Sequence, residues 1–235
     1  MNTRRQPRPP RRQRGQGTIE FQITAAFILI PLLMFVLQIG LLVIGKNTLN
    51  VATLNAARAG AASGGSHDAM KDALALGLAP LYASDAKAMT GVGMADINAA
   101  NYAPVMAAAL GKAKAANLLW TRITVRNPTA DAFQDFGVTR AGNTVIPVTN
   151  VLDNAAVGPR SGQTRADALL LKIEVRYCHK MVIPIIDKMI ASVLNSPLSG
   201  ASAEDRLCYV DDRVPLVSQA VVRMTVPPSR QALLK

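Results

Sequence analysis

The side chains that could do chemistry are few and widely spaced. Cys178 and Cys208 are the only cysteines in 235 residues. Two thiols can form a disulfide or contribute to a metal site, and the second use needs further ligands at short spacing. His179 adjoins Cys178, but the other histidine, His67, is remote in sequence, and no C-x-x-C occurs. The pattern therefore gives no metal-ligand set and implies no cofactor. It gives no catalytic constellation either: there is no G-x-S-x-G, and no carboxylate pair stands in a recognisable setting. Glu204 and Asp205, like Asp211 and Asp212, read as solvated loop charges near the second cysteine. Thr90, Gly91, Val92 and Gly93 lack the spacing of a phosphate-binding loop and read as a turn. The expectation is a protein that is not an enzyme. One carboxylate is unusually placed: Glu20 sits directly before Phe21, where a long apolar run begins. A charged group at the edge of a spanning segment is costly to bury and is a functional hypothesis by default.

Glu20 takes its position from that run. Phe21 to Ile44 holds no charged residue and is interrupted only by Gln22, Thr24, Gln38 and Pro31. As a helix it would be about 36 Å long, enough to cross a hydrocarbon core of about 30 Å with some tilt. A cleavable secretory signal would have an apolar core of only about 7 to 15 residues and a small-residue site at its end. Here the run is longer, and the nearest A-x-A, Ala57 to Ala59, lies well past it. The formal charge of +11 invites a nucleic-acid reading, yet Arg4, Arg5, Arg8, Arg11, Arg12 and Arg14 supply more than half of it from a tail with no acidic residue. Nucleic acid is not needed to explain the charge. Beside a spanning helix, such a tail keeps the N-terminus cytoplasmic and sends the rest of the chain across the membrane. That topology places both cysteines where disulfides persist, and a Cys178–Cys208 bridge is expected.

Beyond the apolar run the chain has the length of one ordinary domain. Aromatic residues are 4% of the chain and alanine is abundant between Ala52 and Ala116, which favours packing by small residues over a deep aromatic pocket. Residues 46–62 continue a helical pattern with a small apolar stripe at Leu49, Ala52, Ala56 and Ala59, read as a stalk. Ser63, Gly64, Gly65 and Ser66 break it and are the best hinge in the chain. Helices are expected over residues 68–78 and 99–119, and an amphipathic helix or partner-binding face over 182–194. From Trp120 the period changes to two. Strands are expected near Ile123 and Val125, at 169–177 with Leu171, Ile173, Val175 and Tyr177 facing in, and at 216–226 before Pro227 and Pro228. A short strand at 144–148 sits in an otherwise turn-rich stretch, 131–162. The fold class is α+β, with helices packed on a small antiparallel sheet.

Gly15, then Gln16, Gly17, Thr18 and Ile19, then Glu20 and Phe21 before the apolar helix, resemble the class III signal of type IV pilins and pseudopilins. Residues 47–62, with Asn55, Ala56, Ala57, Arg58, Ala59, Gly60 and Ala61, are similar to the segment after the helix in TadE-like proteins, the minor pilins of tight-adherence (Tad) pilus systems. A weaker likeness surrounds Tyr177, Cys178 and Pro184. Gln16 and Phe21 depart from the pattern, standing where pilins carry an aromatic residue and where the Tad major pilins carry Tyr.

The resemblance implies a cytoplasmic leader (1–15), a transmembrane helix (16–45), a stalk (46–62) and a pilin-like periplasmic domain (63–235). The implied setting is the bacterial inner membrane, with incorporation into an extracellular pilus as a further step. It implies cleavage between Gly15 and Gln16 by a prepilin peptidase and assembly through Glu20 and Phe21. The implied partners are other pilin-like subunits, the inner-membrane assembly platform and membrane lipid. The new α-amine of Gln16 could pair with Glu20 of its own or a neighbouring helix, and breaking a buried pair costs about 3 to 5 kcal/mol. Alternatively, Glu20 caps the positive end of the helix, worth about 0.3 to 1 kcal/mol. From a different class, an unprocessed single-pass periplasmic adaptor or scaffold also fits these residues.

Overall fold

The computed structural model describes residues 16–83, 90–92, 94–140, 142–149, 156–183, 186–194, 196, 200, 202–209 and 211–234. Gly15 and the basic leader lie outside the described residues. The chain enters as helix α1 (Gln16–Thr24), passes through one π-helical segment (Ala25–Leu29) and continues as α2 (Ile30–Ala62) without leaving helical geometry. Pro31 gives the physical reason for the π segment. It has no N–H to donate, and its ring would crowd the carbonyl of Phe27 one turn back, so the turn before it widens. The resulting helix spans 45 residues from Thr18 to Ala62, and only 6% of its most apolar window is buried. It is long and apolar enough to cross a membrane.

The same helix is also the spine of the folded domain. Leu49, Ala52, Thr53, Ala56, Ala57, Gly60 and Ala61 are buried. Residues 46–62, expected to extend the anchor into the domain as a stalk, are a core element of that domain, and alanine and glycine are there because two layers close on them. On one side is α3 (His67–Leu78), where a methyl on Gly77 would stand 2.6 Å from Ala52 Cα. On the other is the sheet, in the order β1 (Thr121–Asn127), β4 (Leu170–Lys180), β5 (Arg213–Arg223), antiparallel throughout. Strand β4 runs the length of the spine in the opposite sense: Leu171 meets Gly60 and His179 meets Gly45. Leu171, Ile173, Val175 and Tyr177 all face inward and are buried, as their alternation predicts. Pro215 lies inside β5, which is possible because β5 pairs with β4 alone and its other edge needs no donor.

Helix α4 (Tyr102–Trp120) covers α3 through Ala75, Ala79, Val105, Ala109 and Ala113. The stretch 131–162, expected to be mainly turns, contains α5 (Ala130–Phe136), capped by the Thr129 hydroxyl, and buries Phe133 in the main core. A small second sheet pairs β2 (Val138–Arg140) with β3 (Asn143–Val145), and α6 (Arg165–Ala168) carries a Thr164–Asp167 capping box. After β4 come α7 (Ile186–Leu194) and α8 (Ala203–Tyr209), and α9 (Arg230–Leu233) closes the chain.

The expected hinge at 63–66 is a fixed turn. Gly64 and Gly65 have φ of 67° and 96°, the left-handed region that favours glycine. Gly65 N–H donates to Gly60 O at 2.8 Å and Ser229 N–H donates to Gly64 O at 3.0 Å. Leu233 fills the space where a Gly65 side chain would be, and the Ser66 hydroxyl caps α3.

Candidate functional site

The most unusual feature of the described residues is the junction between the apolar helix and the domain. Upstream of it, α1 presents Glu20 and Phe21 to the outside, Phe21 being 69% exposed. From there to Ile44 almost every apolar side chain is exposed, Phe27 at 78%. A helix apolar all round and unburied in its own fold requires a nonpolar surrounding.

The first fixed point is Gln38. It is fully buried, and its Oε1 accepts from Ile183 N–H at 3.0 Å, while its Nε2 has no hydrogen-bond partner among the described residues. Two turns further on, Gly45 lies against the His179 ring; a methyl there would be 3.0 Å from Cε1. Lys46 Nζ donates to the Val217 carbonyl of β5. The helix is therefore clamped over Gln38 to Lys46 by Ile183 just beyond β4, by His179 near the end of β4 and by Val217 in the middle of β5. In the sequence Gln38 reads only as a tolerated interruption of the apolar run. Its polarity is the available signal, because an amide inside such a run needs a partner.

Around the clamp, Tyr177 and Tyr82 share a hydroxyl–hydroxyl hydrogen bond of 2.7 Å. The Tyr177 and His179 rings lie 5.9 Å apart. His179 is 9% exposed, with Nδ1 buried and without a hydrogen-bond partner among the described residues. Burial, and then the charge of Arg213, hold its pKa below the ordinary 6.5, favouring the neutral ring. The Arg213 guanidinium lies 4.1 Å from the centroid of Trp120 and also donates to Cys178 O at 3.3 Å.

Cys178 and Cys208 are joined in a disulfide, with Cα atoms 5.4 Å apart. The bridge pins α8 to the sheet face opposite the spine. Glu204 and Asp205, expected to be solvated loop charges, are the first turn of α8 and bind Arg176 at 3.1 and 3.0 Å; Arg122 adds a 2.7 Å contact to Glu204. Further along that face Arg126 and Gln219 hold Glu174, and the Arg126 hydrogen bond keeps the Glu174 carboxyl below its ordinary range. No group of three or more His, Cys, Asp or Glu side chains is brought together among the described residues in a way that could hold a metal ion.

The structure thus brings Cys178 and Cys208 together and sets Glu20 and Phe21 on the exposed helix, far along the chain from that bridge. Gln16 begins α1. Compared with protein-family models, with curated proteins and with solved structures, the chain matches none.

Proposed function

We propose that this protein is a pilin-like subunit of the TadE-like, tight-adherence class, anchored in the bacterial inner membrane with its domain on the periplasmic side and working by lateral packing of its apolar helix. The observation that carries the reading is the two-solvent helix. One continuous element offers an unburied apolar surface from Phe21 to Leu37 and then becomes the spine of an α+β domain with an antiparallel sheet. That is the shape needed by a subunit that joins a helix bundle and carries a domain outside it. The disulfide agrees with an oxidising compartment beyond the membrane.

In this reading a prepilin peptidase cuts between Gly15 and Gln16, and the α-amine of Gln16 lies one helical turn before Glu20. Glu20, exposed in the single chain, is neutralised by such an amine when helices bundle, and Phe21 adds apolar contact beside it. The assembly platform and other pilin-like subunits are the partners this requires. The N-terminus of protein extracted from membranes of cells with an active prepilin peptidase tests it. A mass beginning at Gln16 is expected. A chain intact from Met1 overturns the pilin reading in favour of an unprocessed single-pass adaptor.

A further inference from the structure

Resting on the reading of the apolar helix as bilayer-spanning, we propose that the helix-proximal end of the domain is a second membrane contact. Residues 181–183 just after β4, helix α7 and the rim formed by Leu119 and Leu207 would lie in the headgroup region of the leaflet from which the helix emerges.

Height along the helix supports this first. Ile183 N–H is bonded to Gln38, which lies six residues before Ile44, the end of the apolar run. At 1.5 Å per residue the domain therefore reaches about 9 Å back along its own anchor. Interfacial elements sit about 5 to 10 Å into the headgroup and acyl boundary, so this offset is the depth of such an element. The segment left free of the domain, Phe21 to Leu37, is about 26 Å long, close to the hydrocarbon thickness of about 30 Å.

The distribution of exposed apolar side chains points the same way. Beyond the anchor, the five most exposed large ones among the described residues are Leu118 (81%), Leu119 (75%), Leu207 (72%), Val193 (69%) and Val182 (67%). Leu118 lies against α3, and the other four belong to elements near the end of β4. Leu119 and Leu207 line one depression with Cys178 and Cys208, beside the charged Arg122, Arg176 and Glu204. Val182 follows Lys180 by two residues, and Val193 belongs to α7, which packs against α2, α8 and β5. Water would be a poor solvent for such a concentration of apolar groups.

Chemistry at the same end fits a bilayer better than a protein cavity. Ile186, Met189, Ile190 and Val193 recur at the spacing of one helical face. Exposed Lys180 can reach anionic headgroups, and Trp120, the only tryptophan in the chain, is held there under Arg213. The domain would then ride at a fixed height and tilt on the membrane.

The test uses full-length protein in phosphatidylcholine–phosphatidylglycerol vesicles whose acyl chains are brominated near the headgroup for the reporters at 193 and 221 and near the middle of the chain for the reporter at 27. In a Trp120→Phe background, single reporters are placed by Phe27→Trp, Val193→Trp and Val221→Trp. Val221 is 53% exposed and pairs with Lys172 toward the other end of the sheet. Bromination should dim the reporters at 27 and 193 by roughly twofold or more and leave that at 221 unchanged. Quenching at 27 with none at 193 overturns the interfacial contact while leaving the spanning helix intact, and a neighbouring protein as the occupant would give that result. No quenching at 27 overturns the spanning helix itself. Val182→Trp provides the same readout should Val193→Trp fail to fold.

Discussion

Two glycines in regular helices should respond in opposite directions to the same substitution. Gly77 lies in α3 and Gly111 in α4. A methyl on Gly77 would stand 2.6 Å from both Cα and Cβ of Ala52, whereas nothing lies within 4 Å of one on Gly111. Carbon atoms rest at about 3.5 to 4.0 Å, so Gly77→Ala requires α3 to move about 1 Å from the spine. The obstructing atoms belong to backbone and to its first side-chain carbon, so no rotamer change can relieve the clash. Moving α3 would also loosen Met70, Leu74 and Leu78, all fully buried.

Overpacking of this kind costs about 1 to 3 kcal/mol. The helix-propensity gain of about 1 kcal/mol for Gly to Ala offsets it only partly, because Gly77 is next to the end of its helix. Gly111→Ala receives the gain without the clash. For a protein of this size about 1 kcal/mol corresponds to about 2 to 4 °C in Tm. Thermal melts by circular dichroism in one detergent should show Gly77→Ala lower by about 2 to 8 °C and Gly111→Ala higher by about 2 to 4 °C. A rise for Gly77→Ala comparable to that for Gly111→Ala would refute the close approach of α3 to the spine, and with it the reason residues 52–61 are so small.

Three further outcomes concern other parts of the molecule. Replacing Cys208 by serine, or reducing the native protein, opens a 30-residue loop and should remove about 3 to 4 kcal/mol of stability, read as a lower denaturation midpoint with the helix content of the folded state retained. His179 is held neutral by burial, so its folded pKa is below 6.5. The unfolded chain takes up the proton first as pH falls, and stability should be level above about pH 7 and decline below about 6.5, by at most about 1.4 kcal/mol per pH unit from this group. Subtracting the profile of His179→Gln isolates that slope; equal profiles would show that the ring titrates freely. Glu20→Ala should leave folding and membrane insertion unchanged but reduce co-purification with other pilin-like subunits at least about tenfold, given a buried charge pair. Unchanged recovery would remove the charge-pairing mechanism even where the leader is cut.

Periodicity makes the sheet legible. The alternation from Leu171 to Tyr177 predicts one face of β4 correctly because strand side chains repeat every two residues and only one face meets the spine. The Ser63 to Ser66 break is equally visible, but glycine alone does not distinguish a hinge from a turn that needs positive φ. Only the contacts with Leu233 and Ser229, far along the chain, make it a turn. Helix α8 is hidden because Glu204 and Asp205 look like solvated charge until Arg122 and Arg176 are brought over from two strands. The point where the domain takes hold of the helix is hidden for a related reason. Hydropathy sees Leu41 to Ile44 as apolar, whereas Gln38 marks where the clamp begins. Composition reports what a residue tolerates, and the partner that uses it is set by the tertiary fold, across 145 residues of chain for Gln38 and Ile183.

Because the clamp begins at Gln38, the helix and domain share one orientation. From Ile30 to Ala62 the spine runs 33 residues without a break, about 50 Å. Gln38, Gly45, Leu49, Ala52 and Ala56 form its docked side, and Val36, Gly40, Val43 and Asn47 run along the opposite side. A neighbouring helix approaching beyond Leu37 can use only that second side, since the first is occupied by β4, β5 and residues 181–183. In the proposed bundle, rotation of the helix would therefore be rotation of the whole domain. A packing face chosen there would fix which surface of the sheet, with its disulfide and arginine cluster, is presented beyond the membrane.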